Sequence, residues 1–158
     1  MPSSGSVLFQ REFMHTKYDM IDQLSWKPEY QLGIEDIDFQ HRYFLNSVNR
    51  LFKQLKKSNN VEYQTNLITE LNAYAKFHFL SEENMMSVNG YPLLEHHKIL
   101  HHKLLEDLSV KQAKLYLRHT HYEIEDITSF LVSWFLHHTM IEDRKFAEFL
   151  HEQNTSNS

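Results

Sequence analysis

The run Leu94-Glu95-His96-His97-Lys98-Ile99-Leu100-His101-His102-Lys103-Leu104-Leu105-Glu106-Asp107-Leu108 decides how this chain is built. Leu94, His97, His101, Leu104 and Leu108 recur at steps of three and four, so they share one face of an α-helix. That face is apolar except for two imidazoles one turn apart. Such a pair can reach a single ion, but twelve His in 158 residues produce roughly one His-x-x-x-His by chance. The pair gains weight only because three other segments repeat its pattern.

Those segments carry the stripes Ile34, Ile37, His41, Phe44, Val48, Leu51, Leu55; then Leu67, Leu71, Tyr74, His78, Glu82, Met85; and finally Ile124, Ile127, Leu131, Trp134, His138, Ile141. In each, imidazole or carboxylate stands where a core residue belongs. Burying these groups is costly unless each is paired or bound to a metal. Their common inward direction therefore predicts one site in the middle of a bundle. A lone inward His is ordinarily a hydrogen-bonded core residue, but five from four helices cannot all satisfy one another, since each neutral ring needs both a donor and an acceptor.

Composition fits this picture and narrows it. With 41% apolar and 13% aromatic residues the chain is globular, and three Gly and three Pro leave little to interrupt long helices. A net charge of −5 without basic clusters argues against nucleic acid and against a membrane surface. No apolar run reaches spanning length, so membrane insertion is not expected, and Met1 to Arg11 lacks the pattern of a secretion signal, which makes the cytoplasm the expected compartment. The lack of Cys removes thiolate zinc sites, iron–sulfur clusters and cysteine nucleophiles, so any metal must take nitrogen and oxygen ligands.

The predicted fold class is all-α: an up-down-up-down antiparallel four-helix bundle, with an N-terminal arm packed across it. Residues 1–25 form that arm, partly irregular, 26–152 the bundle, and 153–158 a polar tail. Aromatic anchors Phe9, Phe13, Tyr18, Trp26 and Tyr30 lie across the bundle, and Pro28 and Gly33 block a continuous helix there. Helices are predicted from about Asp36 to Lys57, from Glu62 to Val88, from Pro92 to Lys111 or somewhat further, and from Glu123 to Leu150. The third link, around His119, Thr120 and His121, carries no strong turn signal.

Taken in order, Gly33-Ile34, Ile37-Asp38-x-Gln40-His41, His78-Phe79 with Glu82-Glu83, Tyr91-Pro92, His97, His101, Trp134, His138 and Asp143 resemble bacterial hemerythrin, over about Trp26 to Leu150. The resemblance implies a non-haem di-iron site that binds O2 reversibly, with two iron ions joined by an oxo or hydroxo group. It implies further that His97, His101 and His138 hold one iron and His41 and His78 the other, that Glu82 and Asp143 bridge them, and that O2 takes the open sixth position of the second iron. By ligand type alone, zinc, manganese or cobalt would also fit. One-turn spacing from His138 selects Glu142, whereas the family pattern selects Asp143; Asp143 is preferred and Glu142 kept as the alternative. His96, His102 and His137 each adjoin a proposed ligand but are turned about 100° away on an ideal helix.

Phe79, Leu104, Trp134, Phe135 and Thr139 are candidates for the O2 pocket, although Phe79, Leu104, Trp134 and Phe135 would serve equally as ordinary core residues. Hemerythrins commonly have Leu and Ile where this chain has Phe135 and Thr139. An O2 carrier, store or delivery protein is the first reading, with no enzyme activity beyond a weak peroxidase or oxidase side reaction and no protein partner that can be named. A sensor module signalling to a partner, and a di-iron peroxide or nitric oxide reductase, are the alternatives. If the Thr139 hydroxyl stands beside bound oxygen, Thr139→Ile is expected to change the autoxidation rate of the iron-loaded protein; an unchanged rate would remove Thr139 from the pocket.

Overall fold

Each apolar stripe becomes the inner face of a rod. The computed structural model describes residues 24–57 and 60–157, and within them lie α1 (Glu35–Lys57), α2 (Val61–Val88), α3 (Leu94–Arg118) and α4 (His121–His137). α4 continues through a π-helical turn (His138–Asp143) into α5 (Arg144–Ser156). Backbone angles stay helical at His138, Asp143 and Arg144, so α4, the turn and α5 form one rod. The four rods pack as a closed ring, α1 on α2, α2 on α3, α3 on α4 and α4 back on α1. Short links make successive rods antiparallel, which is the predicted four-helix bundle.

Local chemistry sets the ends. Glu35, Asp36 and Asp38 place negative charge in the first turn of α1, where the helix dipole favours it. Asp38 also turns its carboxylate back to accept the N–H groups of Leu32 (2.8 Å) and Gly33 (3.0 Å), fixing the approach to the helix. Gly33 has φ +82, and a side chain there would also approach the His151 ring. Asn60 caps α2 by accepting from the Tyr63 N–H at 3.0 Å. At the other end Gly90, with φ +65, lets the Tyr91 N–H reach Met86 O (2.9 Å) and its own N–H reach Ser87 O (3.2 Å), a Schellman closure. Tyr91 and Met86 are buried in the same cluster, the apolar contact that usually accompanies this closure.

α3 runs on to Arg118, because Leu115 extends its buried stripe beyond Lys111. His119 ends it in the left-handed region (φ 43), with its N–H on Leu115 O at 2.8 Å. α4 then begins at His121, two residues before the predicted start, with the Thr120 hydroxyl hydrogen-bonded to the Glu123 carboxylate just ahead of it.

Two apolar clusters fill the interior. The larger includes Phe44, Leu51, Ile68, Leu71, Leu104, Leu108, Ile127, Leu131 and Phe135; the smaller holds Leu32, Ile37, Met86, Tyr91, Phe146 and Ala147. Along every rod, the predicted polar stripe residues fall between these two clusters. The segment before α1 crosses the seam between the first and last rods: Tyr30 is buried and meets Phe135 edge-on at 6.0 Å, Trp26 lies 5.9 Å from Tyr30, and the Arg42 guanidinium covers Trp26 at 4.7 Å. Phe9, Phe13 and Tyr18 lie outside the described residues. Among the described residues no helix is long and apolar enough to cross a membrane.

Asp38→Ala would strand the buried Leu32 N–H. It is expected to lower the unfolding free energy by about 1–3 kcal/mol, read as a lower urea midpoint at unchanged slope; an unmoved midpoint would show that Asp38 does not hold this junction.

Candidate metal centre

Between the two apolar clusters the four rods bring seven donors together. α1 supplies His41, α2 His78 and Glu82, α3 His97 and His101, and the π-helical turn His138 and Asp143. None is more than 3% exposed. Their Nε2 atoms crowd one another, at 3.1 Å for His41 and His78, 3.0 Å for His101 and His138, and 3.1 Å for His138 and His97. Glu82 Oε1 lies 2.7 Å from His97 Nε2 and 3.3 Å from His101 Nε2, while its Oε2 faces His78 Nε2 at 3.6 Å. Asp143 Oδ1 lies 3.0 Å from His138 and 3.1 Å from His97, and its Oδ2 3.1 Å from His41.

Hydrogen bonding does not account for this cluster. The Asp143 contacts are short but out of line for N–H donation, so both of its oxygens, like Glu82 Oε2, are buried without a hydrogen-bond partner among the described residues. His78 Nδ1 faces Gln40 Oε1 at 2.7 Å and His101 Nδ1 faces Glu83 Oε1 at 2.8 Å. Both partners accept and cannot donate, so each ring carries a proton on Nδ1 and, when neutral, presents an Nε2 lone pair inward. Lone pairs and carboxylate oxygens thus converge with too few protons between them. A cation satisfies that arrangement; another hydrogen bond does not.

Electrostatics points the same way. Burial pushes the Glu82 carboxyl upward, and Asp143 adds to this, but the His101 and His97 contacts outweigh both and bring it down to about 2. Asp143 is likewise held well below the usual carboxylate range, burial being overcome by His138, His41 and His97. Burial is also the largest influence on His78 and His97. It lowers His78 to about 4, whereas on His97 it is outweighed by Asp143 and Glu82, which bring that ring up to about 9. Two anions surrounded by nitrogen donors form an environment for hard or borderline divalent cations.

The donors fall into two groups, each with its ligand atoms within 4.8 Å of one another: Glu82, His97, His101, His138 and Asp143, and His41, His78, Glu82 and Asp143. Both carboxylates belong to both groups. Glu142, by contrast, turns away to Lys145 at 3.1 Å. The π-helical turn explains the difference: its i→i+5 bonding puts the fifth residue after His138, rather than the fourth, on the inner face. Ile141, predicted as a stripe position, is displaced outward by the same turn and is 43% exposed. His96, His102 and His137 are exposed, His102 pairing with Glu106 at 3.2 Å.

Four of the five pocket candidates divide between the two groups. Phe79 stacks on His101 at 3.9 Å and Trp134 on His138 at 4.7 Å, while Leu104 joins Trp134 and His138 along a cavity of about 200 Å³ between α3 and α4. Phe135 instead meets His41 edge-on at 5.8 Å. Thr139 is buried within the π-helical turn. Periodicity gave no role to Gln40 and Glu83, because each sits one residue off a stripe; their adjacency to His41 and Glu82 was the available signal.

A helical bundle that closes around nitrogen and oxygen donors in this manner is a metal-binding protein, and its interior layer is a metal-binding site. Residues 32–150 match the Hemerythrin HHE cation binding domain, and the chain belongs to the hemerythrin family. It is 30% identical over 131 residues to a bacteriohemerythrin of Clostridium acetobutylicum, covering 78% of this chain and 98% of that one. It is 26% identical over 125 residues to a bacteriohemerythrin of Stenotrophomonas maltophilia, covering 79% and 80% respectively.

The π-helical turn makes neighbouring acids unequal. Asp143→Ala is expected to weaken binding of the second equivalent of metal at least tenfold, and Glu142→Ala to leave both equivalents in place, as read by metal titration of the refolded protein. Equal losses in the two variants would contradict the assignment of inner and outer faces.

Proposed function

We propose that this chain binds O2 reversibly at a pair of iron ions and serves as an O2 carrier, store or delivery protein rather than an enzyme. One observation carries this reading: two donor groups share Glu82 and Asp143 but hold three and two imidazoles. On this reading His97, His101 and His138 hold one iron, His41 and His78 the other, and the two carboxylates span both. The group with two imidazoles is one donor short of its neighbour, which leaves a coordination position for a small ligand. Bound iron would supply one electron from each ion and that open position.

The chain's own part is to hold, orient and exclude. Stacking by Phe79 and Trp134 fixes the planes of His101 and His138, so their lone pairs stay aimed without metal having to organise them. On the two-imidazole side, Phe135 packs on His41 and is itself stacked by Phe44 at 5.9 Å, an apolar wall that keeps water from the open position. Retention of bound O2 depends on that dryness, because proton delivery favours irreversible oxidation. Thr139 is the hydroxyl-bearing member of the set and would tune that balance. Family membership and the name borne by the two relatives support O2 as the ligand.

Iron-loaded, reduced protein is expected to develop a visible band on adding O2 and to lose it on removing O2, through repeated cycles. A single irreversible conversion, or steady consumption of O2 in the presence of reductant, would contradict carriage.

A further inference from the structure

The two sides of the centre are supported differently from behind. On the three-imidazole side, His101 Nδ1 donates to a carboxylate, Glu83 Oε1, at 2.8 Å. On the two-imidazole side, His78 Nδ1 donates at 2.7 Å to the neutral amide of Gln40, whose own Nε2 donates to Ser81 Oγ at 3.0 Å. The other ring of that group, His41, has no partner at Nδ1 among the described residues. Glu83 is thus a negative charge hydrogen-bonded to a ring of one group, and neither ring of the other group has an equivalent. It is well placed to act, since its side chain is 20% exposed while that of His101 is 2% exposed.

A carboxylate accepting from the remote nitrogen of an imidazole fixes its tautomer and draws the proton toward itself, which raises the basicity of the nitrogen facing the metal. A neutral amide fixes the tautomer and does little more. On the reading of the centre proposed above, we infer that Glu83 is a positioning residue that holds His101 in its metal-binding tautomer and, through its charge, makes the metal held by His97, His101 and His138 the harder of the two to reduce. The higher oxidation state is thereby favoured on the side away from the open position, and the metal offered to O2 has no carboxylate hydrogen-bonded behind its rings.

Three readouts separate this from a packing role. Glu83→Gln keeps an acceptor for His101 and removes the charge; Glu83→Ala removes both. In zinc-loaded protein, nitrogen-15 resonances should show His101 protonated at Nδ1 in the wild type and in Glu83→Gln, and a shifted or exchange-broadened Nδ1 signal in Glu83→Ala. Glu83→Ala should also bind zinc about 10- to 100-fold more weakly, with Glu83→Gln restoring most of that loss. In iron-loaded protein, Glu83→Gln should retain two irons and show a higher reduction potential than the wild type. An unchanged potential in Glu83→Gln, or an unchanged Nδ1 signal in Glu83→Ala, would overturn the inference. Failure of the wild type to hold two irons would instead overturn the di-iron reading, and the zinc measurements would still judge the role of Glu83 at His101.

Discussion

Two ionised carboxylates, Glu82 and Asp143, sit in the interior of the bundle, and the rest of the structure is arranged around their demand for positive charge. Neither is more than 1% exposed, and three of their four oxygens have no hydrogen-bond partner among the described residues. Placing such groups in a core costs several kcal/mol per ion unless something compensates. The imidazoles do this only in part by hydrogen bonding: His97 reaches Glu82 Oε1 at 2.7 Å, and the other three oxygens gain no such bond. Apolar clusters above and below supply the cohesion of the bundle, and the layer between them is held for cations.

That division of labour explains why rigidity is concentrated near the site. Phe79 and Trp134 lie against His101 and His138, Gln40 and Glu83 hold His78 and His101 by their remote nitrogens, and Asp38 pins the chain just before the rod that carries His41. His101 is held in both ways. A centre organised in advance loses less on binding its ions.

Much of this was written in the sequence in physical terms. The helical stripes gave the four rods, and the polar residues within them gave His41, His78, Glu82, His97, His101 and His138 as one inward layer. Asn89-Gly90 with Pro92 marked the turn between α2 and α3, since only the left-handed glycine permits the Schellman closure there. The end of α3 was obscure because His119, rather than Gly or Asn, takes the left-handed position. The start of α4 was no clearer, for the Thr120 hydroxyl at its N-cap goes to the Glu123 carboxylate and not to a helix N–H. Spacing on an ideal helix chose Glu142 over Asp143, for no glycine or proline announces the π-helical turn. The trace it leaves is a slip of register: Phe146 and Ala147, both buried, fall one place later than the stripe through Leu131 and His138 would put them. Gln40 and Glu83 could not be read from periodicity at all, because their role comes from contact across rods.

The central claim is that two cations share Glu82 and Asp143. Anomalous diffraction from crystals of the iron-reconstituted protein tests it most directly. Two peaks are expected, one beside His97, His101 and His138 and the other beside His41 and His78, each in contact with both carboxylates. A single peak, or two peaks that do not share those side chains, would contradict it.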